Sequence, residues 1–168
     1  MATKAPLMQN YEETYREATL EVPEYFNFGL DVVDRWAEDR IKLALVSVDS
    51  TGEQAQQDTF WDLKVQSNKL ANVLRNLEVG KGDRVFIMLP RIPQWYTAIL
   101  GMIKLGVIPM PATTLCTPRD IEYRINQSEA SVVVTDLENA PKVEEAAGSC
   151  QTLKYLVIVG GKKRGWVS

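Results

Sequence analysis

A chain of 168 residues, 45% hydrophobic and 24% charged, is long enough for one domain with a real core and too apolar for disorder. Its formal net charge of -3 supplies no positive field to hold a phosphate backbone, so nucleic acid is excluded as an expected partner. Histidine is absent altogether, which removes serine–histidine and cysteine–histidine nucleophile activation, the imidazole base and most zinc and haem ligation.

The first forty residues predict two helices, one around Tyr11 to Leu20 and a second from Phe28 to Asp39 with Asn27 as its N-cap. In the second, Leu30, Val33, Ala37 and Ile41 recur at spacings of three and four and predict one packing face. Leu43 to Val48 is rich in Leu and Val. Asp49-Ser50-Thr51-Gly52 is turn chemistry, which predicts a hairpin returning through Gln56 to Thr59. Thr59 and Asp62 then read as a capping box for a helix whose stripe is Phe60, Leu63, Leu70, Val73, Leu74 and Leu77.

After a break at Gly80-Lys81-Gly82-Asp83, strands and helices alternate. Strands are predicted over Arg84 to Leu89, Val107 to Met110, Ser131 to Thr135 and Leu153 to Val159, and helices over Pro93 to Leu105, Pro118 to Gln127 and Ala140 to Ala147. Thr117 caps the Pro118 helix, with Pro118 at its first position and Asp120 in its first turn. Strands joined through single helices must run parallel, because a hairpin cannot make that connection. The expected fold is α/β, a doubly wound and mainly parallel sheet with flanking helices, preceded by N-terminal helices and a hairpin.

Candidate motifs are few. Gly80 to Arg84 has the composition of a phosphate loop but precedes a strand, where a plain turn explains it. Gly160 to Gly165 follows a strand but lacks the phosphate-loop spacing, and residues 160–168 read as an exposed basic, glycine-rich tail. No G-x-G-x-x-G occurs, so a dinucleotide domain is disfavoured. Glu12, Glu13 and Glu17 read as a solvated helix face, and Trp95 and Tyr96 as core and interface aromatics. Thr113, Thr114, Cys116 and Thr117 crowd a strand-to-helix loop at the expected carboxyl edge of the sheet, where doubly wound folds place ligands. That loop is the best local site candidate.

Cys116 and Cys150 are the only cysteines, too few for a disulfide framework or a metal knuckle, and a reducing cytoplasm is expected. Met1 to Asn10 carries no apolar run behind a basic tip, so neither a secretory signal nor a mitochondrial presequence is expected. The apolar stretch Trp95 to Pro111, broken by Lys104 and Pro109, is too short for a membrane span.

Longer motifs carry a resemblance. Phe26-Asn27-Phe28-Gly29-Leu30-Asp31-Val32-Val33-Asp34-Arg35-Trp36-Ala37 resembles the opening signature of the medium-chain branch of the AMP-forming acyl-CoA synthetases, in the acyl-adenylate-forming superfamily. Phe60-Trp61-Asp62-Leu63, Val79 to Val85, Leu89-Pro90-Arg91-Ile92-Pro93-Gln94-Trp95, Leu105 to Thr113 and Asp120 to Ile125 extend the likeness from Tyr25 to Val159.

The resemblance implies a ligase that activates a medium-chain fatty or aromatic carboxylic acid with ATP as acyl-AMP and then passes the acyl group to CoA, with Mg²⁺ serving the full-length enzyme. It also implies that residues 1–168 are a partial N-terminal domain, with 1–24 as an extension. Family members grip ATP with a loop ending in Gly-x-Pro-Lys and use a lysine on a mobile C-terminal domain, and neither element is in these residues. This stretch is therefore expected to be catalytically incompetent alone, with no catalytic residue, no metal ligand and no cofactor held tightly. Thr113, Thr114 and Leu115 resemble a loop that approaches the CoA thiol arm in relatives. Lys142 lies near where relatives place arginines against the CoA nucleotide. Self-association through uncovered apolar surface is the expected side effect. Two other readings remain, a non-catalytic α/β module that binds a ligand or a partner subunit, and another branch of the superfamily such as a peptide-synthetase adenylation domain or a luciferase-like enzyme.

Overall fold

The computed structural model describes residues 10–19, 21–49 and 51–168. Helix α1 (Tyr11–Glu17) begins at Asn10, whose side-chain oxygen accepts from the Glu13 backbone N–H. Glu12, Glu13 and Glu17 are all exposed on it, as the composition suggested. Leu20, the expected end of this helix, and Met1 to Gln9 lie outside the described residues.

The next helix departs from expectation. Phe28–Asp34 is a π-helix, followed by only a short turn before the chain straightens. Of the four residues predicted to share its packing face, Val33 and Ala37 are buried, while Leu30 and Ile41 are 48% and 86% exposed. Tertiary anchors set this winding. Asn27 Oδ1 accepts from the backbone N–H groups of Gly29 and Leu30, the Asp31 carboxylate accepts from Asn27 N, and Asn27 Nδ2 donates to the Ile103 carbonyl at 2.8 Å. Seven residues on, Asp34 takes the ammonium of Lys104 at 2.6 Å, which also donates to Asn68 Oδ1 at 2.9 Å. Gly29 sits so close to Lys104 that a Cβ there would lie 2.7 Å from Lys104 Cγ.

Strands β1 (Leu43–Val48) and β2 (Ala55–Thr59) form the expected antiparallel hairpin. Asp49 Oδ1 accepts from Thr51 N and Gly52 N in its turn, and Gly52 adopts φ +78°, a left-handed conformation open to glycine. Helix α2 (Phe60–Asn76) then starts on a complete capping box between Thr59 and Asp62. It buries Leu63, Ser67, Ala71 and Leu74, with Leu70 and Leu77 packed at the margin.

The remaining elements follow the predicted alternation, with ends shifted by one or two residues: β3 (Arg84–Met88), α3 (Pro93–Leu105), β4 (Ile108–Pro111), α4 (Pro118–Ser128), β5 (Val132–Asp136), α5 (Ala140–Ala147) and β6 (Tyr155–Val159). The four strands pair in the order β4-β3-β5-β6, every neighbour parallel. Side chains alternate across a strand, so β3 and β5 feed two cores. Val85, Ile87, Val132 and Val134 pack on one side with Leu74 and Met102 of α2 and α3. Phe86, Met88 and Val133 pack on the other side with Ile121, Ile125 and Val143 of α4 and α5. The fold is the doubly wound α/β layer predicted.

Two details protect the sheet's margins. On the β4 edge, Ile108 N and Ala112 N donate inward to Asp83 O and Ile87 O. The alternate positions are Pro109 and Pro111, so the outward side offers no N–H to another strand. On the β6 edge, residues 160–168 keep Lys162 and Arg164 exposed, as expected, but their end folds back on the sheet. Val167 N donates to Leu156 O, Ile158 N donates to Val167 O, and Glu144 receives both Trp166 Nε1 and Lys163 Nζ. Basic side chains signalled a solvated stretch, but a backbone bridge such as that between Val157 and Val167 is invisible to composition.

Helices α2 and α3 approach closely at Gly101, where an added Cβ would lie 2.6 Å from the Ser67 carbonyl oxygen. Backbone cannot swing aside as a side chain does. Gly101→Ala is expected to lower stability by up to about 2 kcal/mol, because overpacking of about 1–3 kcal/mol is offset by only ~1 kcal/mol of helical preference for alanine. Urea unfolding followed by circular dichroism checks this.

The capping carboxylates give a pH dependence. The Thr59 hydroxyl and backbone N–H hold Asp62 below the usual carboxylate range, and the Thr117 backbone N–H and hydroxyl do the same for Asp120. A depressed folded-state pKa contributes stability above the unfolded value near ~3.9 and loses it as pH falls through the folded value. Between about pH 5 and about pH 3, the urea midpoint of the Asp62→Asn/Asp120→Asn double variant should fall less steeply than that of the parent.

Candidate functional site at the carboxyl edge of the sheet

β3 lies between β4 and β5, while the chain runs from β3 to β4 and then to β5. The winding direction therefore reverses at the β3–β5 seam, and in folds of this kind ligands bind outside the strand ends at that place. The two strands are joined there by the Thr135 hydroxyl, which donates to the Met88 carbonyl at 2.7 Å in a fully buried position. Sequence reading passed over Thr135, because a threonine inside a Val-rich strand looks like β-propensity alone.

From this seam a run of polar contacts leads outward. Asp136, at the end of β5, accepts from Asn139 N at 3.0 Å and from Asn139 Nδ2 at 2.7 Å. Asn139 is itself buried, and its side-chain oxygen lies 3.5 Å from the Lys142 ammonium in the first turn of α5. Lys142 Nζ donates to the Thr114 carbonyl at 2.7 Å, crossing from α5 to the loop between β4 and α4. The Asp136 to Asn139 spacing at a strand-to-helix junction was the available signal for this turn.

The loop is shaped by short bonds of its own. Thr113 Oγ1 accepts from Leu115 N at 3.2 Å, and Thr113 O accepts from Cys116 N at 3.2 Å. Cys116 turns into the core beneath α4, and Thr117 is occupied as the cap of α4, where it forms a full capping box with Asp120. Leu115 is left projecting, 85% exposed. The four candidate residues thus meet: Thr113 to Leu115 form one turn, and Lys142 clamps its middle carbonyl. Cys116 and Thr117, singled out with them, have structural posts.

Chemically this edge is a wall with hydrogen-bond donors and one apolar projection. Asp136 is committed to Asn139, and Lys142 has one of its three donors committed to Thr114. Among the described residues no group of three or more His, Cys, Asp or Glu could hold a metal ion. The side chains here do not fit a triphosphate with its magnesium, which needs several converging cations and carboxylates. Trp95 and Tyr96, across the seam at the start of α3, stack edge to face at 5.2 Å. Trp95 packs against the α2–α3 core and Tyr96 is 47% exposed.

The parallel sheet, wound in both directions from β3 and with proline-rich turns at its carboxyl edge, defines a doubly wound α/β domain. The chain belongs to the AMP-binding enzyme family, which it matches over residues 33–165. Mitochondrial acyl-coenzyme A synthetase ACSM3 of Mus musculus is 37% identical over 165 residues, covering 94% of this chain and 28% of the relative. Mitochondrial acyl-coenzyme A synthetase ACSM2B of Homo sapiens is 36% identical over 156 residues, covering 88% and 27%. The chain thus spans little more than a quarter of the length of these relatives. Among solved structures, an acyl-CoA synthetase of Brucella canis superposes with a TM-score of 0.76 at 24% identity, covering 95% of this chain and 29% of that one. An anthranilate CoA ligase, AuaEII, in complex with anthranoyl-AMP gives 0.71 at 24% identity, with 88% and 27% covered. The recognised resemblance to AMP-forming acyl-CoA synthetases holds, and the solved structures share the fold. No helix among the described residues is long and apolar enough to cross a membrane.

If Lys142 shapes the loop, Lys142→Met should cost about 1 kcal/mol and speed hydrogen exchange at the amides of Leu115 and Cys116. Amides in β5 should be unchanged, which mass-detected exchange can separate.

Proposed function

We propose that these residues are the N-terminal scaffold of an acid–CoA ligase. In that reaction a carboxylate oxygen of a medium-chain fatty or aromatic acid attacks the α-phosphorus of ATP and pyrophosphate leaves. The CoA sulfur then attacks the acyl carbon and AMP leaves. The family match across residues 33–165 carries this reading, and the doubly wound sheet supports it.

Within the scaffold, Thr113 to Leu115 and Lys142 form part of the wall along the CoA arm. The bond from Lys142 to the Thr114 carbonyl supports this by fixing the loop, and the exposed Leu115 side chain suits the apolar part of a thiol arm. Residues 1–24 serve as an extension to this domain. ATP brings about four negative charges, and stabilising charge on a transferring phosphoryl group takes preorganised cations or metal that these residues do not converge. By themselves they bind no nucleotide tightly and turn nothing over. The buried thiols of Cys116 and Cys150 support a reducing compartment. We place the chain in the cytoplasm, the mitochondrial names of the relatives making the matrix the competing site.

The test has two arms. Incubated with ATP, CoA and a panel of medium-chain fatty acids and benzoate, the chain should release no pyrophosphate above a protein-free control, and sustained release would refute the incompetence. In an NMR titration with CoA, shifts should be weak and centred on Thr113 to Leu115 and Lys142. Saturable, tight binding without turnover would favour a finished non-catalytic module, and shifts confined to other surfaces would displace the proposed wall.

A further inference from the structure

Residues 160–168 touch the rest of the fold at few points, and those points converge on α5. After β6 the segment turns at Gly160 and returns through Gly165, both at positive φ. Among the described residues, its backbone bonds to the remainder of the chain are the pair at Val167. That N–H donates to Leu156 O at 2.9 Å, and that carbonyl accepts from Ile158 N at 2.7 Å. The side-chain bonds both end on one atom: Trp166 Nε1 donates to Glu144 Oε1 at 3.1 Å, and the Lys163 ammonium lies 3.2 Å from the same oxygen. Trp166 first, and Lys163 after it, hold the Glu144 carboxyl below the usual range. One carboxylate thus carries both side-chain ties, and its charge strengthens each of them.

Helix α5 links that carboxylate to the candidate site. Val143 points into the core, and Lys142 and Glu144 stand about 100° to either side of it on the helix. Lys142 reaches the Thr114 carbonyl at 2.7 Å, while Glu144 faces the other way, to Trp166 and Lys163. The helix is bracketed between the loop and residues 160–168. A second contact runs through the turn before α5. Gly161 packs so closely on Leu137 that a Cβ there would overlap the Leu137 side chain, and Leu137 follows Asp136, which accepts both bonds from Asn139. With eight residues and no side-chain cap at its start, α5 depends on what holds its flanks.

We propose that residues 160–168 are a strap latched on Glu144, and that the latch sets the Thr113 to Leu115 loop through α5 and Lys142. With the strap down, α5 is held from both sides and Lys142 keeps its aim on Thr114. With the strap lifted, α5 loses the support opposite Lys142, and the Thr114 carbonyl loses a fixed partner. Glu144 is a positioning residue: it makes no bond to the loop and acts through Lys142. Coupling of this kind needs contiguous contacts and an element with two arrangements. The contacts run from Trp166 through Glu144 and Lys142 to Thr114, and the element is the strap, whose few attachments let it open locally. The inference names what governs the proposed CoA wall and rests on that reading only for its use. Its experiment contains no CoA, so a failed latch and a failed wall are told apart.

Hydrogen exchange of the whole chain reads both ends at once, with circular dichroism confirming that each variant is folded. Glu144→Ala should speed exchange at the Ile158 and Val167 amides by about tenfold, as loss of charge-assisted bonds implies. At Leu115 and Cys116, whose amides bond to Thr113, it should speed exchange by at least about twofold. Trp166→Phe, which keeps a ring and removes its N–H, should act in the same direction. Glu144→Gln, which keeps an acceptor for Trp166, should do less than Glu144→Ala. In a Lys142→Met background, Glu144→Ala should still open the strap but add nothing at Leu115 and Cys116, because the path is already cut. Amides of β5 should keep their rates throughout. Strap amides indifferent to Glu144→Ala overturn the proposal. So does a strap that opens while the loop amides keep their rates, a loop effect that survives Lys142→Met, or a general loosening in which β5 speeds up equally.

Discussion

Strand β3 has protein on every side. Its neighbours β4 and β5 take both of its hydrogen-bonding edges, and Val85, Phe86, Ile87 and Met88 are each at most 1% exposed. A strand so placed can tolerate apolar side chains on both faces only if a separate layer of helices waits on each. The winding of the chain supplies them, α2 and α3 above, α4 and α5 below. Its carboxyl end is then forced to be the place where the layers part. There the Thr135 hydroxyl satisfies the Met88 carbonyl away from water, which such a buried group requires.

The stretch Phe26 to Ala37, which carries the most specific resemblance, has a mechanical role in this fold. Asn27 caps the π-helix and at the same time takes the Ile103 carbonyl near the end of α3, while Asp34 closes on Lys104 one helix position later. The Lys104 and Asp34 side chains are only 4% and 16% exposed. A buried pair of this sort adds little net stability, since desolvation offsets attraction, but removing either partner strands a charge. Its effect here is to fix where the N-terminal segment lies on α3. A π-helix is a rare winding, and here the contacts of Asn27 and Asp34 with α3 hold it.

At the carboxyl edge, the same economy limits what the candidate site does. Lys142 and Asp136, the charged groups of the polar run, are engaged in holding α5, β5 and the Thr113 to Thr117 loop together. The chain spans little more than a quarter of the length of its acyl-CoA synthetase relatives. Histidine is missing from the sequence, and among the described residues no group of three or more Cys, Asp or Glu side chains is placed to hold a metal ion.

By itself the sequence determined the order and type of the strands and helices from Leu43 to Val159, because period-two and period-four apolar patterns, capping boxes at Thr59 and Thr117, and Pro118 act within a few residues of where they stand. It also determined the family, through long motifs in one register. The tertiary structure alone decided the π winding of Phe28–Asp34, the return of Val167 to the edge of β6, the bond from Lys142 to Thr114 and the bulge between Leu43 and Leu45 in the hairpin. Each of these is fixed by a partner beyond the reach of one helical turn or hairpin, or by a one-residue slip in register. Local propensity is nearly indifferent to both, and only the packed chain makes one choice lower in free energy than the rest.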